Sequence, residues 1–176
     1  MTGAGQGIGR AHALAFAADG AKVVVNDYAE NLAAGVVDEI RASGGEAVAS
    51  VGDVADWKSG EAMVATAIDT FGQLDILVNN AGFVRDRMLV SLSEDEWDAV
   101  IRVHLKGGHF VGLRHAAAYW RAEAKAGRTR QARIINTSSG AGLYGSVGQG
   151  NYVAAKAGDL RAHHPAAAEL GGYGIT

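Results

Sequence analysis

Apolar positions recur at helical spacing through IGRAHALAFAADG, residues 8–20, and then crowd together in AKVVVND, residues 21–27. That pattern predicts a helix ending at Gly20 and then a short buried strand rich in β-branched residues. The same change of period repeats down the chain. ENLAAGVVDEIRASGG reads as a helix closed by glycines, EAVASVGDV as a strand, DWKSGEAMVATAIDTFG as a helix, and LDILVNNAG as a strand bounded by Asn and Gly. Ser93 and Glu96 form an S-x-x-E capping box ahead of a stretch running to Gly127, which is one long helix or a broken pair. ARIINTSS then reads as a further strand. Strands and helices that alternate at these lengths build right-handed βαβ units, so the expected fold is α/β: a Rossmann-type, doubly wound parallel sheet between two helical layers.

Composition narrows the function. The 176 residues, 48% of them hydrophobic, suffice for one core, so a single domain spanning residues 1–176 is expected. Sixteen basic against nineteen acidic residues, with no long run of either sign, argue against a nucleic-acid or anionic-membrane partner and for a small molecule. With no cysteine there is neither a disulfide nor a thiolate metal site, which fits a reducing compartment. No segment has the character of a signal peptide or a bilayer span, and the expected location is the cytoplasm.

Candidate chemistry lies at two places. In TGAGQGIG, Gly3, Gly7 and Gly9 allow a tight turn, close approach of backbone to a pyrophosphate, and packing of the next helix, whose N-terminal dipole attracts the anion. Asp27 ends the following strand 18 residues after Gly9, near where a carboxylate meets an adenosine ribose. A carboxylate there accepts from a 2′-hydroxyl and repels a 2′-phosphate, and Gln6 in the turn offers no compensating charge, so NAD is expected over NADP. Further on, INTSSGAGLYGSVGQGNYVAAK puts Ser139 in a loop after a strand, with Tyr152 and Lys156 on one face of the next helix. A tyrosine hydroxyl, with a reference pKa of about 10, needs a nearby cation to exchange protons near neutrality, and Lys156 can supply that field.

Taken in order, the turn Thr2–Gly9, the N-N-A-G element at 79–82 and the Ser139, Tyr152, Lys156 set make the chain resemble the short-chain dehydrogenase/reductase family. The resemblance implies that Tyr152 is the acid/base, that Ser139 orients the carbonyl or alcohol, and that Lys156 binds the nicotinamide ribose while lowering the tyrosine pKa. It also implies a cofactor groove formed by Gly3, Gln6, Gly7, Ile8, Gly9, Asp27, Asp53, Val54, Asn80, Ala81, Gly82, Tyr152 and Lys156. NNAGFVRDRML, DEWDAVIRVHLKG and RIINTSSGAGLYGSVGQGNY are similar to the (3R)-hydroxyacyl-CoA dehydrogenase unit of peroxisomal type 2 multifunctional enzymes and its single-domain bacterial relatives. That implies oxidation of a 3-hydroxyacyl thioester, such as a CoA ester, by a homodimer or homotetramer. The alternatives are an NADPH-dependent 3-oxoacyl thioester reductase and an inactive, truncated relative.

Four departures carry their own expectations. His104 replaces the asparagine that many members use through its backbone carbonyl in a proton relay. The family's first strand is missing apart from Met1, which would leave its neighbours without hydrogen-bond partners and sets the expected start upstream. AKAGDLRAHHPAAAEL lacks an apolar stripe and holds Pro165, so it reads as locally scrambled, and the chain ends before the family's last strands and lid. The remaining histidines (His12, His109, His115, His163 and His164) show no acidic or cysteine partner at ligand spacing, so no metal site is expected. Trp57, Trp97 and Trp120 are assigned to packing.

Overall fold

The computed structural model describes residues 1–128 and 130–176. Helix α1 (Gly7–Ala18) leads to strand β1 (Val23–Asp27), then α2 (Glu30–Ala42), β2 (Ala47–Val51), α3 (Trp57–Phe71) and β3 (Ile76–Asn79). The order then continues with α4 (Glu94–Ile101), α5 (Gly112–Lys125), β4 (Arg133–Asn136), α6 (Gly140–Tyr144) and α7 (Gly150–Leu170). Local signals set several of these ends. Asp56 accepts from the Ser59 N–H at 2.8 Å to start α3, and Gly72 closes it at a φ of +81°. Ser93 and Glu96 form the expected reciprocal box at the start of α4.

Between α4 and α5 the backbone stays helical through a wide-turned π segment, Arg102–Val111. The stretch from Glu94 to Lys125 is therefore one continuous helical run rather than a broken pair. Gly107 lets this segment press on the loop after β2, since a Cβ there would lie 2.7 Å from the Val54 side chain and 3.1 Å from the Ala55 nitrogen.

The strands pair in parallel, β1 with β2 and β3 with β4, and helices cover both faces. Val23 and Val25 point into an apolar cluster with Ala33, Val36, Val37 and Ile40 of α2. Val24 points the other way, into a cluster with Met63, Val64, Ala116 and Trp120. Trp120 is buried and donates its indole N–H to Leu74. Trp57 and Trp97 are 42% and 37% exposed, so packing explains only one of the three tryptophans fully. The others lie on outward faces, where Trp57 stacks against His115 at 4.3 Å between ring centroids.

The two strand pairs do not join into one sheet among the described residues. Residues 1–4 stitch them together. The Met1 amino group donates to Val24 and the Met1 carbonyl accepts from Asn26, both at 3.0 Å, while the Thr2 N–H donates to Val78 at 3.0 Å. Because Val23 donates to Glu46 and the Asp75 carbonyl accepts from Arg133, the alternating residues Val24, Ile76 and Val78 turn their backbone groups toward the space between β1 and β3. A cavity of about 360 Å³ opens there beside Met1, Phe16, Phe71 and Leu74. The sequence expectation of interrupted pairing is met only partly, because Met1 and Thr2 retain the pairing at the end of the strands that faces the glycine turn.

The segment after Lys156 departs from the scrambled reading. It remains within α7, which passes through Pro165. The proline removes the backbone donor that would have met the Arg161 carbonyl. As expected there is no apolar stripe: the buried positions are Asn151, Ala155, Lys156 and Asp159. The helix holds because its buried polar groups find partners, as described below.

Candidate active site

The ends of β1, β3 and β4 carry Asp27, Asn79 and Asn136; Asp27 and the loop after β3 meet the glycine turn, and the loop after β4 reaches Asn80. Gly3 and Gly7 sit at φ +58° and +55°, which side chains rarely adopt. A Cβ on Gly9 would lie 2.1 Å from the Gly3 carbonyl oxygen, so only glycine lets α1 pack onto the turn. A Cβ on Gly7 would meet nothing within 4 Å, leaving open space over the start of the helix. Gln6, Gly7 and Ile8 are exposed there, and no side chain caps α1, so its first backbone N–H groups are free to meet an anion. These features fit the diphosphate of a dinucleotide.

Asp27 fixes the turn from the strand side. Its Oδ2 accepts from the Gly5 N–H at 3.0 Å and its Oδ1 from the Ala29 N–H at 3.1 Å. From the other side, Thr2 Oγ1 accepts from the N–H groups of Asn80 and Ala81 at 3.0 and 3.1 Å. Asn80 Nδ2 donates to the carbonyls of Thr2 and Gly3, both at 3.2 Å. Asn80 thus braces the turn through its side chain. Asp53 caps its own loop at Ala55 and pairs with Arg102 at 2.6 Å, while Val54 packs on Gly107.

Ser139 accepts from the Ala141 N–H at 3.2 Å and caps α6, which packs on α7. Gly142 allows that packing, because a Cβ on it would come 2.8 Å from the Lys156 backbone carbon. On α7, Lys156 is 6% exposed and donates a short hydrogen bond to the carbonyl of Thr137, two residues before Ser139. Tyr152 lies one turn earlier on the same face and is half-buried. Thr137 Oγ1 in turn reaches Asn80 Oδ1 at 3.5 Å. A polar chain therefore runs from Gly3 through Asn80 and Thr137 to the Lys156 ammonium.

His104 is buried near the start of the π segment, edge-on to the Tyr152 ring with centroids 5.0 Å apart. Its Nε2 lies 2.6 Å from the Phe83 carbonyl and 3.0 Å from the Phe83 N–H, so the ring is held by the backbone of the loop after β3. Gly82 makes room for the ring, since a Cβ there would come 2.2 Å from it. Burial is the main influence on His104 and holds its imidazole below the usual histidine range, with the Phe83 hydrogen bond opposing it. His104 therefore sits neutral against the loop after β3.

Sequence reasoning missed three positions. Asn151, fully buried, donates to the carbonyls of Arg85 and Glu96 at 3.3 and 3.1 Å and accepts from the Tyr152 N–H at 2.8 Å, tying the start of α7 to α4. Thr137 meets Lys156 through its carbonyl, which any residue would carry, and Asn80 through its hydroxyl. Asp159 meets His109 at 3.1 Å, so that histidine does have an acidic partner, against the expectation; the 50 residues between them hid it.

The family model described as short chain dehydrogenase matches residues 1–176. The hydroxyacyl-CoA dehydrogenase ChsB1 of Mycobacterium tuberculosis is 53% identical over 99% of this chain and 57% of its own length. The peroxisomal multifunctional enzyme type 2 of Drosophila melanogaster is 49% identical over 90% of this chain and 26% of its own. A crystal structure of a short chain dehydrogenase from Mycobacterium avium superposes with a TM-score of 0.96 at 62% identity, covering 99% of this chain and 63% of that one. The chain thus spans less than two thirds of each of these relatives. Among the described residues no helix is long and apolar enough to cross a membrane. The match along the whole chain, together with the glycine turn and the Ser139, Tyr152 and Lys156 set just described, establishes that this chain belongs to the short chain dehydrogenase family, whose members bind a nicotinamide cofactor.

Proposed function

We propose that residues 1–176 form one dinucleotide-binding domain of an NAD-dependent oxidoreductase acting on a secondary alcohol, with a 3-hydroxyacyl thioester as the substrate class. The observation that carries this reading is the polar chain from the glycine turn through Asn80 and Thr137 to Lys156, which couples a dinucleotide cradle to a tyrosine–lysine pair. The names of the relatives supply the thioester class. We assign the protein to the cytoplasm as a homodimer or homotetramer, in keeping with the family.

In this reading, Gly3, Gly7 and Gly9 admit the diphosphate, and the open N-terminus of α1 neutralises part of its charge. Asp27 offers a carboxylate to the adenosine ribose, Gln6 and Ile8 at the start of α1 join the cofactor groove, Asp53 and Val54 border the adenine, and Ala81 and Gly82 line the groove. Nicotinamide, when bound, supplies the hydride acceptor. Ser139 orients the substrate oxygen, Tyr152 takes the hydroxyl proton, and Lys156 holds the positive field that favours tyrosinate. His104 positions the loop after β3 against Tyr152. Replacing Tyr152 by Phe tests the assignment: turnover of a 3-hydroxyacyl thioester should fall by roughly 10²–10⁴-fold while NADH affinity changes little. Unchanged turnover would remove Tyr152 from the role.

A further inference from the structure

The buried side of α7 holds a charge that the reading above leaves unused. Asp159 is 5% exposed, one turn past Lys156, and its Oδ2 stands 3.6 Å from the Lys156 ammonium. Its Oδ1 stands 3.1 Å from Nδ1 of His109 on the π segment. Burying a carboxylate is costly unless it is paired, and here the pairing joins two helices. The titratable groups around it are Lys156 on its own helix and His104 and His109 on the segment packed against it; Thr137 adds a carbonyl to Lys156. Lys156 thus has Tyr152 one turn before it and a carboxylate one turn after it. A lysine paired this closely acts on a distant hydroxyl as a dipole, whose field falls off faster than that of a lone charge.

We propose that Asp159 is a positioning residue for the Tyr152–Lys156 pair, anchoring the Lys156 ammonium against Thr137 and drawing part of its field away from the Tyr152 hydroxyl. The proposal rests on the reading that Lys156 acts on Tyr152. It makes the proton affinity of Tyr152 adjustable from a residue that touches neither substrate nor cofactor.

The test labels the 176-residue chain with [13Cζ]tyrosine, assigns the Tyr152 resonance by its loss in Tyr152→Phe, and follows its titration by NMR without any ligand. Asp159→Asn should move the Tyr152 midpoint to lower pH by roughly one unit, and Lys156→Gln should move it to higher pH. Asp159→Glu should restore a midpoint near that of the parent. If Asp159→Asn does not fold, Asp159→Leu supplies the same readout with the charge removed. A midpoint that moves in Lys156→Gln but not in the Asp159 variants, whatever their melting temperatures, overturns the proposal and leaves the reading of the pair intact. A midpoint that ignores Lys156→Gln overturns both.

Discussion

Gly9 and Asn80 carry the glycine turn between them, one by lacking an atom and the other by donating twice. Gly9→Ala forces a carbon to within 2.1 Å of the Gly3 carbonyl, and because that neighbour is backbone the turn must shift. We expect a loss of ~1–3 kcal/mol in stability, read from denaturant unfolding, and a weaker NADH affinity in the same sample. Asn80→Ala leaves the Thr2 and Gly3 carbonyls short of a donor and should cost ~1–3 kcal/mol by the same measurement. Residue types with fixed local geometry were legible in the sequence: the glycines, the Ser93–Glu96 box, and Tyr152 above Lys156. Partners supplied by the fold were not. Thr137 meets Lys156 through its carbonyl and Asn80 through its hydroxyl, and Asn151, Asp159 and His109 reach groups tens of residues away, so no local spacing could announce them.

At the scale of elements, alternation of period located the four strands of the described residues and the long helices, whose cores are strongly patterned, to within a few residues at each end. It could not foresee the π segment, because Arg102–Val111 differs from an α-helix only in which carbonyl each N–H meets. Nor could it foresee α7 continuing through Pro165, where tertiary contacts at Asn151, Lys156 and Asp159 outweigh the lost bond. The space between β1 and β3 has a consequence for stability. The Met1 amino group is buried against Val24, and burial lowers its pKa from 8.0 to about 6. Folding therefore favours the neutral amine, so stability should be complete above pH 8 and fall as pH drops toward 6, by ~3 kcal/mol from this group. His104, also held low by burial, adds to the loss in the same direction on the acid side. Fusing four Val/Ile residues ahead of Met1 converts the amine to a peptide N–H and presents backbone to Val24, Ile76 and Val78. The melting temperature of that fusion should rise above that of the parent, and the pH dependence between 6 and 8 should flatten; an unchanged profile would show that Met1 is not the titrating group.

For the whole molecule, the ends of β1 and β3 meet the glycine turn through Asp27 and Asn80, and the loop after β4 joins them through Thr137. The fold was legible because βαβ alternation admits few topologies. Interrupted pairing was legible too, but the part of it that residues 1–4 restore between β1 and β3 was not, since it depends on how far they reach between the strands. The central claim is that this chain holds NAD through its glycine turn and Asp27. Titrating the 176-residue protein with NADH and, in parallel, with NADPH, and following nicotinamide fluorescence, tests it directly. The account predicts saturable NADH binding and NADPH binding at least roughly tenfold weaker, with the difference reduced in Asp27→Ala. Equal affinity for both, or a preference for NADPH, would contradict the role given to Asp27, and failure of a folded sample to bind either would contradict the site itself.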